Sequence, residues 1–256
     1  MFSILIFIFG LAVGSFLNVV IYRLETEESI LISRSHCPKC GAILSSFDLI
    51  PIFSFIWQKA KCRYCRQKIS WQYPTVEIAT GLLFLIIFSL QSSVFSLFYY
   101  FLIISFLIII FVYDLKHYLI PDKIVYPAIL ASGIWYLVSG FFIPNTKYQI
   151  PNTIMAVLAG AGFFLILVLI SKGKWLGLGD VKLGILMGLV LGWPNILSAL
   201  FLAIFGGAVV GLGLIAAKKK TMKSQIPFGP FLAGATVLTM LFNDYLTQAL
   251  NWFMLG

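Results

Sequence analysis

The chain has very little charge, and this scarcity indicates its class. Only 11% of its 256 residues are Asp, Glu, Lys or Arg, whereas soluble domains carry about 25%. Hydrophobic residues make up 61% of the chain, and the mean hydropathy is +1.01. This composition excludes an ordinary soluble domain. We expect an all-α membrane protein whose helices satisfy their backbone hydrogen bonds internally within the bilayer.

Acidic residues are scarcer still, and their positions single out two of them. Of the nine acids, those before residue 78 are Glu25, Glu27, Glu28, Asp48 and Glu77. The rest of the chain has only Asp114, Asp122, Asp180 and Asp244. Asp114 closes the uncharged run 94–113, and Asp180 ends the string 177–180, Gly-Leu-Gly-Asp, before another apolar region. A charge near hydrocarbon costs roughly 3 kcal/mol or more, so both aspartates are functional candidates.

Uncharged runs separated by breaks predict a polytopic bundle of about eight transmembrane helices. The breaks are polar or rich in Gly and Pro, as in Gln91-Ser92-Ser93 and Gly192-Trp193-Pro194-Asn195. The predicted spans are 1–22, two within 78–113, 124–143, 152–171, two within 183–217, and one from about 226 or 231. No basic segment precedes the first run, so we expect a retained span rather than a signal peptide.

Lysine and arginine are distributed very unevenly between the two sides of this bundle. Of 18 basic residues, 17 fall in alternate loops and only Lys147 falls on the opposite side. By the positive-inside rule, the side that carries these 17 basic residues is cytoplasmic, and both termini lie outside. Asp114 and Asp180 then share the cytoplasmic side. The net charge of +9 follows from topology and anionic lipid, so no nucleic-acid partner is expected.

The only four cysteines form two CxxC pairs in one loop. Cys37 and Cys40 make the first pair, and Cys62 and Cys65 make the second. Four thiolates at this spacing fit a tetrahedral structural zinc site, and a reducing cytoplasm argues against disulfides. We therefore divide the chain into a first span at 1–22, a zinc-ribbon-like cytoplasmic loop domain at 23–74 and a catalytic transmembrane bundle at 75–256.

Motifs along nearly the whole chain occur in a specific order. They are 14–23, 33–40, 48–51, 62–65, 69–77, 114–122, 177–182 and 227–230, the last being Pro-Phe-Gly-Pro. This ordered set resembles the type IV prepilin peptidases, which are GxGD aspartyl proteases. That family combines leader peptidase and N-methyltransferase activity for pili, type II secretion and DNA uptake.

The resemblance implies roles for individual residues. Asp114 and Asp180 stand where the family's catalytic aspartates stand. The implied substrate is a prepilin or pseudopilin with a basic leader, a glycine at the cleavage point and a hydrophobic helix beyond it. Cleavage takes place at the cytoplasmic face of the bacterial inner membrane. The implied methyl donor is S-adenosylmethionine, which rests on the resemblance alone because no cofactor motif is visible.

Two carboxylates of this kind predict aspartyl protease chemistry. Like charges close together do not both ionise easily, so the pair is expected to share a proton. One carboxylate would act as general base on a water, and its protonated partner would donate to the scissile carbonyl. Gly177 and Gly179 would let backbone approach the substrate closely. Which aspartate starts protonated stays open.

Two other functions fit part of the pattern. A presenilin-type or signal-peptide-peptidase-type GxGD protease would also use Asp114 and Asp180, but the cysteine loop and the edge positions argue against it. A proton-coupled transporter would use them as proton sites, yet no internal repeat is visible. Prepilin cleavage distinguishes the three.

Four other polar residues have structural interpretations. Asp122 follows Pro121 and is expected in a turn or helix cap, outside the catalytic pair. His117, beside Lys116, is expected at the polar boundary, and His36 has no place in a site that four cysteines already fill. Glu77 is expected in the first turn of a helix, where the helix dipole would stabilise its charge.

Overall fold

A computed structural model describes residues 2–26, 28–29, 34–91, 93–142, 150–221 and 224–242. The expected loop at 144–147 and Asp244 lie outside these residues. The described residues form a 3-10 turn at Ser46–Leu49 and the following α-helices in chain order: α1 Phe2–Thr26, α2 Phe53–Trp57, α3 Gln72–Leu90, α4 Val94–His117, α5 Asp122–Phe142, α6 Ile150–Ser171, α7 Leu178–Leu191, α8 Asn195–Ala216 and α9 Gly229–Leu241.

Eight of these helices, α1 and α3 to α9, occupy the positions of the eight predicted spans. Within the described ranges, α1, α3, α4, α6 and α8 are long and apolar enough to cross a membrane. The chain is therefore an all-α, multi-pass membrane protein, as the sequence predicts. Helix α7 has 14 residues and ends at Gly192, whose φ of +68° is left-handed backbone that glycine adopts readily.

The chain divides into two compact units, Met1–Ile109 and Ile110–Gly256. In the first unit, α1 and α3 pack with their backbones in contact. A Cβ added at Gly10 would lie 2.7 Å from the Cα of Gly81, and one added at Gly14 would lie 2.7 Å from the Cα of Glu77. The Gly-x-x-x-Gly spacing of Gly10 and Gly14 thus lets the backbones of the two helices approach closely. The side-chain amide of Asn18 adds a hydrogen bond to the Tyr73 carbonyl oxygen at 3.1 Å.

The second unit positions the candidate active site. Helices α6 and α7 approach closely, since a Cβ at Gly160 would lie 2.6 Å from the carbonyl oxygen of Gly184. Helix α5 packs on α7, and α9 packs on both α7 and α8. The end of α4 and the starts of α7 and α9 therefore belong to one packed unit.

Candidate active site and metal site

Asp114 lies in the last turn of α4 and is buried, with 4% of its surface exposed. The residues before it form an uninterrupted apolar helix, so the carboxylate stands where that helix ends. Gly229, the first residue of α9, lies directly against this carboxylate, and its backbone N–H contributes to the local electrostatics of Asp114. A residue 115 positions further along the chain thus holds one candidate catalytic group.

Asp180 lies in the first turn of α7 and is also buried, with 8% of its surface exposed. Its Oδ2 accepts a hydrogen bond from the N–H of Gly177 at 3.1 Å. The capping role that a carboxylate commonly takes at a helix start is therefore present. The position is also chemically useful, because Asp180 lies within electrostatic reach of Asp114. The second unit thus brings both candidate carboxylates together.

The two glycines before Asp180 have different surroundings. A Cβ at Gly179 would lie 3.1 Å from the Cβ of Ile120, in the loop between α4 and α5. At Gly177 the nearest atom would be the backbone nitrogen of Gly179, 3.8 Å away. Gly179 therefore permits close packing of this loop on α7, whereas the space beside Gly177 is open to an incoming chain.

Gly229 was not among the residues expected at the site. A Cβ at this position would lie 2.5 Å from Oδ2 of Asp114, so any side chain would displace the carboxylate. The Pro-Phe-Gly-Pro string is the only signal in the sequence that marks this glycine. The string does not reveal which carboxylate its amide would meet.

Asp122 has a different environment from the two buried aspartates. It is exposed at the start of α5, and its Oδ1 pairs with Nζ of Lys182 at 2.6 Å. The same ammonium lies 4.9 Å above the ring of Tyr126. At the end of α4, the rings of His117 and Tyr113 lie tilted against each other, with 4.5 Å between their centroids. The contacts of Lys182 with Asp122 and Tyr126 link α5 to α7 and account for Asp122 without a catalytic role.

The four cysteines converge on one point in the first unit. Their Sγ atoms all lie within 4.8 Å of one another, and those of Cys37 and Cys65 are 3.9 Å apart. A tetrahedral zinc with Zn–S bonds of about 2.3 Å requires sulfurs about 3.8 Å apart. Disulfide sulfurs would be about 2.05 Å apart, and all four thiols are free. The arrangement fits a tetrahedral metal.

Each cysteine pair lies on a turn of the same construction. The N–H of Gly41 donates to the Cys37 carbonyl, and the N–H of Arg66 donates to the Cys62 carbonyl, both at 2.9 Å. Gly41 and Arg66 are equivalent positions, with φ of +69° and +59°. Antiparallel bridges flank the turns at 36 with 43 and at 61 with 68. Two equivalent knuckles thus point their thiols at one centre.

The local electrostatics favour a thiolate at the first knuckle. Burial opposes ionisation of Cys37, but hydrogen bonds from the backbone of Cys40 and Lys39 and from neighbouring thiols lower its pKa to about 7. His36 lies outside the cluster, where its Nε2 is 3.7 Å from Oε1 of Glu28. Among the described residues, the candidate ligands are the four cysteines alone.

Comparisons with known proteins agree with this arrangement. Residues 8–90 match the bacterial peptidase A24 N-terminal domain, and residues 101–212 match the type IV leader peptidase family. A prepilin leader peptidase/N-methyltransferase of Bacillus subtilis is 33% identical over 94% of each chain. Proteins of the same name are similar in Pectobacterium carotovorum, at 32% over 93% of this chain and 92% of theirs, and in Aeromonas salmonicida, at 29% over 98% and 93%. No solved structure matches.

Proposed function

The chain belongs to the type IV leader peptidase family, and on that basis we propose that it is a prepilin leader peptidase and N-methyltransferase. As a membrane aspartyl endopeptidase, it cleaves the leader from type IV prepilins or pseudopilins and methylates the new N-terminal residue. The family membership disfavours both the presenilin-type protease and the proton-coupled transporter. We place the protein in the bacterial inner membrane, with its active site at the cytoplasmic face and both termini outside.

The observation that best supports the peptidase is the pair of buried carboxylates. We propose Asp114 and Asp180 as the catalytic residues, because both are buried, lie within electrostatic reach of each other and belong to one unit. Two such groups would share a proton. One would deprotonate a water that attacks the carbonyl carbon, and the other would donate its proton to the carbonyl oxygen.

The backbone groups that contact the two carboxylates differ, and this difference supports distinct roles. Asp180 accepts from Gly177, within its own helix start, whereas Asp114 is contacted by Gly229 from another helix. The Gly177 N–H would hold one side of the Asp180 carboxylate, and the backbone of Gly229 limits where the Asp114 carboxylate can lie. The open space beside Gly177 supports entry of the extended cleavage segment there.

The cysteine segment supports a structural metal. We propose that Cys37, Cys40, Cys62 and Cys65 hold one zinc ion, which would supply folding free energy to a loop with few buried apolar residues of its own. The division into a first span at 1–22, a cysteine loop domain at 23–74 and a catalytic bundle at 75–256 follows from this proposal. S-adenosylmethionine is the methyl donor, which the name of the related proteins implies.

One reconstituted assay tests both activities. The purified protein in lipid vesicles is incubated with a prepilin peptide and S-adenosylmethionine, and mass spectrometry follows the products. We expect cleavage after the glycine and one added methyl group on the mature N-terminus. An unprocessed peptide under conditions in which a related enzyme processes it would refute the proposed function. Cleavage without methylation would refute the transferase half alone.

A further inference from the structure

The short helix α2 turns three large apolar side chains outward. Phe53, Ile56 and Trp57 are 59%, 68% and 78% exposed. The rings of Phe53 and Trp57 stack with 5.9 Å between centroids, so they form one continuous surface. Three adjacent apolar residues with this exposure are unusual on a protein surface that faces water.

The opposite face of α2 is packed, so the helix is not detached from the protein. Phe55 is buried, and its ring meets the ring of Trp71 edge-on with 5.1 Å between centroids. Trp71 immediately precedes α3. The outward face of α2 is therefore held in a fixed direction by contacts on its inward face.

A hydrogen bond to a buried carboxylate determines which part of α3 lies beside the start of α2. Oε2 of Glu77 accepts a hydrogen bond from the N–H of Ile52 at 2.8 Å, and Glu77 is 6% exposed. Ile52 has a φ of +61°, a left-handed value that β-branched residues rarely adopt, so its surroundings must hold it there.

This hydrogen bond places α2 near the surface of the bilayer. Glu77 lies about 7.5 Å along α3 from Gln72, and no charged residue follows it in that helix. Helix α3 is one of the helices suited to cross the membrane. The start of α2 therefore lies beside the point at which α3 enters the hydrocarbon.

The charge of the surrounding segment complements an anionic surface. Residues 34–71 contain a single acid, Asp48. Its carboxylate accepts hydrogen bonds from the side chains of Ser45 and Gln58. The basic residues of the segment are Arg34, Lys39, Lys59, Lys61, Arg63, Arg66 and Lys68. A basic segment at a membrane surface is attracted to anionic lipid headgroups.

We propose that α2 is an interfacial anchor that inserts Phe53, Ile56 and Trp57 into the headgroup region of the adjoining leaflet, beside anionic lipid. Tryptophan favours this depth because its ring is apolar with one polar edge. The anchor would fix the cysteine segment against the membrane. The proposal needs only the membrane-spanning fold and does not depend on the enzyme activity.

Photo-crosslinking in the full-length protein tests this anchor. Trp57 is replaced by p-benzoylphenylalanine, and the matched control carries the same replacement at Tyr64, which is 51% exposed in the second cysteine knuckle. Both proteins are reconstituted in vesicles of phosphatidylethanolamine and phosphatidylglycerol and irradiated. We expect lipid adducts at position 57 to exceed those at position 64 by about tenfold. The transfer of one aromatic side chain from water into an apolar environment is favourable enough to give a preference of this size.

Hydrogen exchange in the unsubstituted protein provides a measurement that needs no variant. Amides of residues 53–58 should exchange more slowly in vesicles with phosphatidylglycerol than in vesicles of phosphatidylcholine alone. Equal lipid adducts at positions 57 and 64 would overturn the anchor. Adducts at 57 to a second protein copy or an added prepilin peptide, in place of lipid, would assign the surface to that partner. Equal exchange in both vesicle types would overturn the role of anionic lipid.

Discussion

Gly229 lies directly against the carboxylate of Asp114, so the first residue of α9 contacts a group at the end of α4. This contact explains why a glycine is required there. The position allows no Cβ, so the glycine lets the backbone of α9 approach one member of the proposed catalytic pair.

Replacement of either buried aspartate should abolish cleavage. Asp114→Asn and Asp180→Asn each remove a proton acceptor while keeping the size of the side chain, and we expect losses of about 10²–10⁴-fold. The measurement is the rate of prepilin peptide cleavage in vesicles. Asp122→Asn is the matched control, since its exposed pair with Lys182 is worth about 0–1 kcal/mol. A fully active Asp114→Asn or Asp180→Asn enzyme would refute the two-aspartate mechanism.

A methyl group at Gly229 should impair cleavage without unfolding the protein. Gly229→Ala forces the carboxylate of Asp114 to move, because the new Cβ would lie 2.5 Å from its Oδ2. A misplacement of about 1 Å costs about 10²-fold in rate. Gly234→Ala, on the same helix, is the control because its nearest neighbour would be at an ordinary 3.9 Å. Equal activities of the two variants would show that the Gly229 contact has no catalytic consequence.

The protein should contain about one zinc per chain, bound by the two cysteine knuckles. Cys62→Ser should lower the zinc content and make residues 34–71 sensitive to protease, since binding free energy here is folding free energy. If the cysteine segment helps to form the methyl-transfer site, methylation should fall more than cleavage, because the proposed catalytic aspartates belong to the other unit. Elemental analysis and the two activity assays measure these effects. Protein purified without chelator but devoid of zinc would contradict the metal assignment.

Substitutions at the equivalent positions 41 and 66 of the two knuckles should have opposite effects on zinc retention. Gly41→Ala places a Cβ on left-handed backbone, which costs about 1–2 kcal/mol and should weaken zinc retention about tenfold. No atom lies within 4 Å of that Cβ, so backbone strain alone is tested. Arg66→Gly should relieve the same strain in the second knuckle and slow zinc release to a chelator. Faster release from Arg66→Gly would mean that the arginine side chain itself supports the site.

Most of the helices could be predicted because hydrocarbon imposes a length and a composition on them. Charge-free runs broken by Gly, Pro and polar residues gave the positions of α1 and α3 to α9. The lengths of α7 and α9 could not be predicted in this way, since α7 ends at a glycine with left-handed backbone inside an apolar region. Helix α2 was also missed, because five residues are too few for a periodic pattern.

The candidate site was predictable to the extent that its residues are chemically rare. Two acids at the ends of apolar runs were enough to single out Asp114 and Asp180, and the spacing of the cysteines was enough to predict their cluster. The contacts of Gly229 and Glu77 were not predictable, and the expectation that Glu77 lies in a first helical turn was wrong, because α3 begins at Gln72. Each of these contacts joins a common residue type to a group distant in sequence, and the sequence alone does not show which helices meet.

The close packing of α1 on α3 also affects how the chain between them can vary. Because these two helices touch through Gly10 and Gly14, the segment leaving α1 returns to a neighbouring helix. Lengthening a loop whose ends are already adjacent is cheap, at about 0.6 kcal/mol for each doubling. Insertions between Thr26 and Arg34, ahead of the first knuckle, should therefore be tolerated by the bundle. This stretch is therefore a suitable place for an engineered tag.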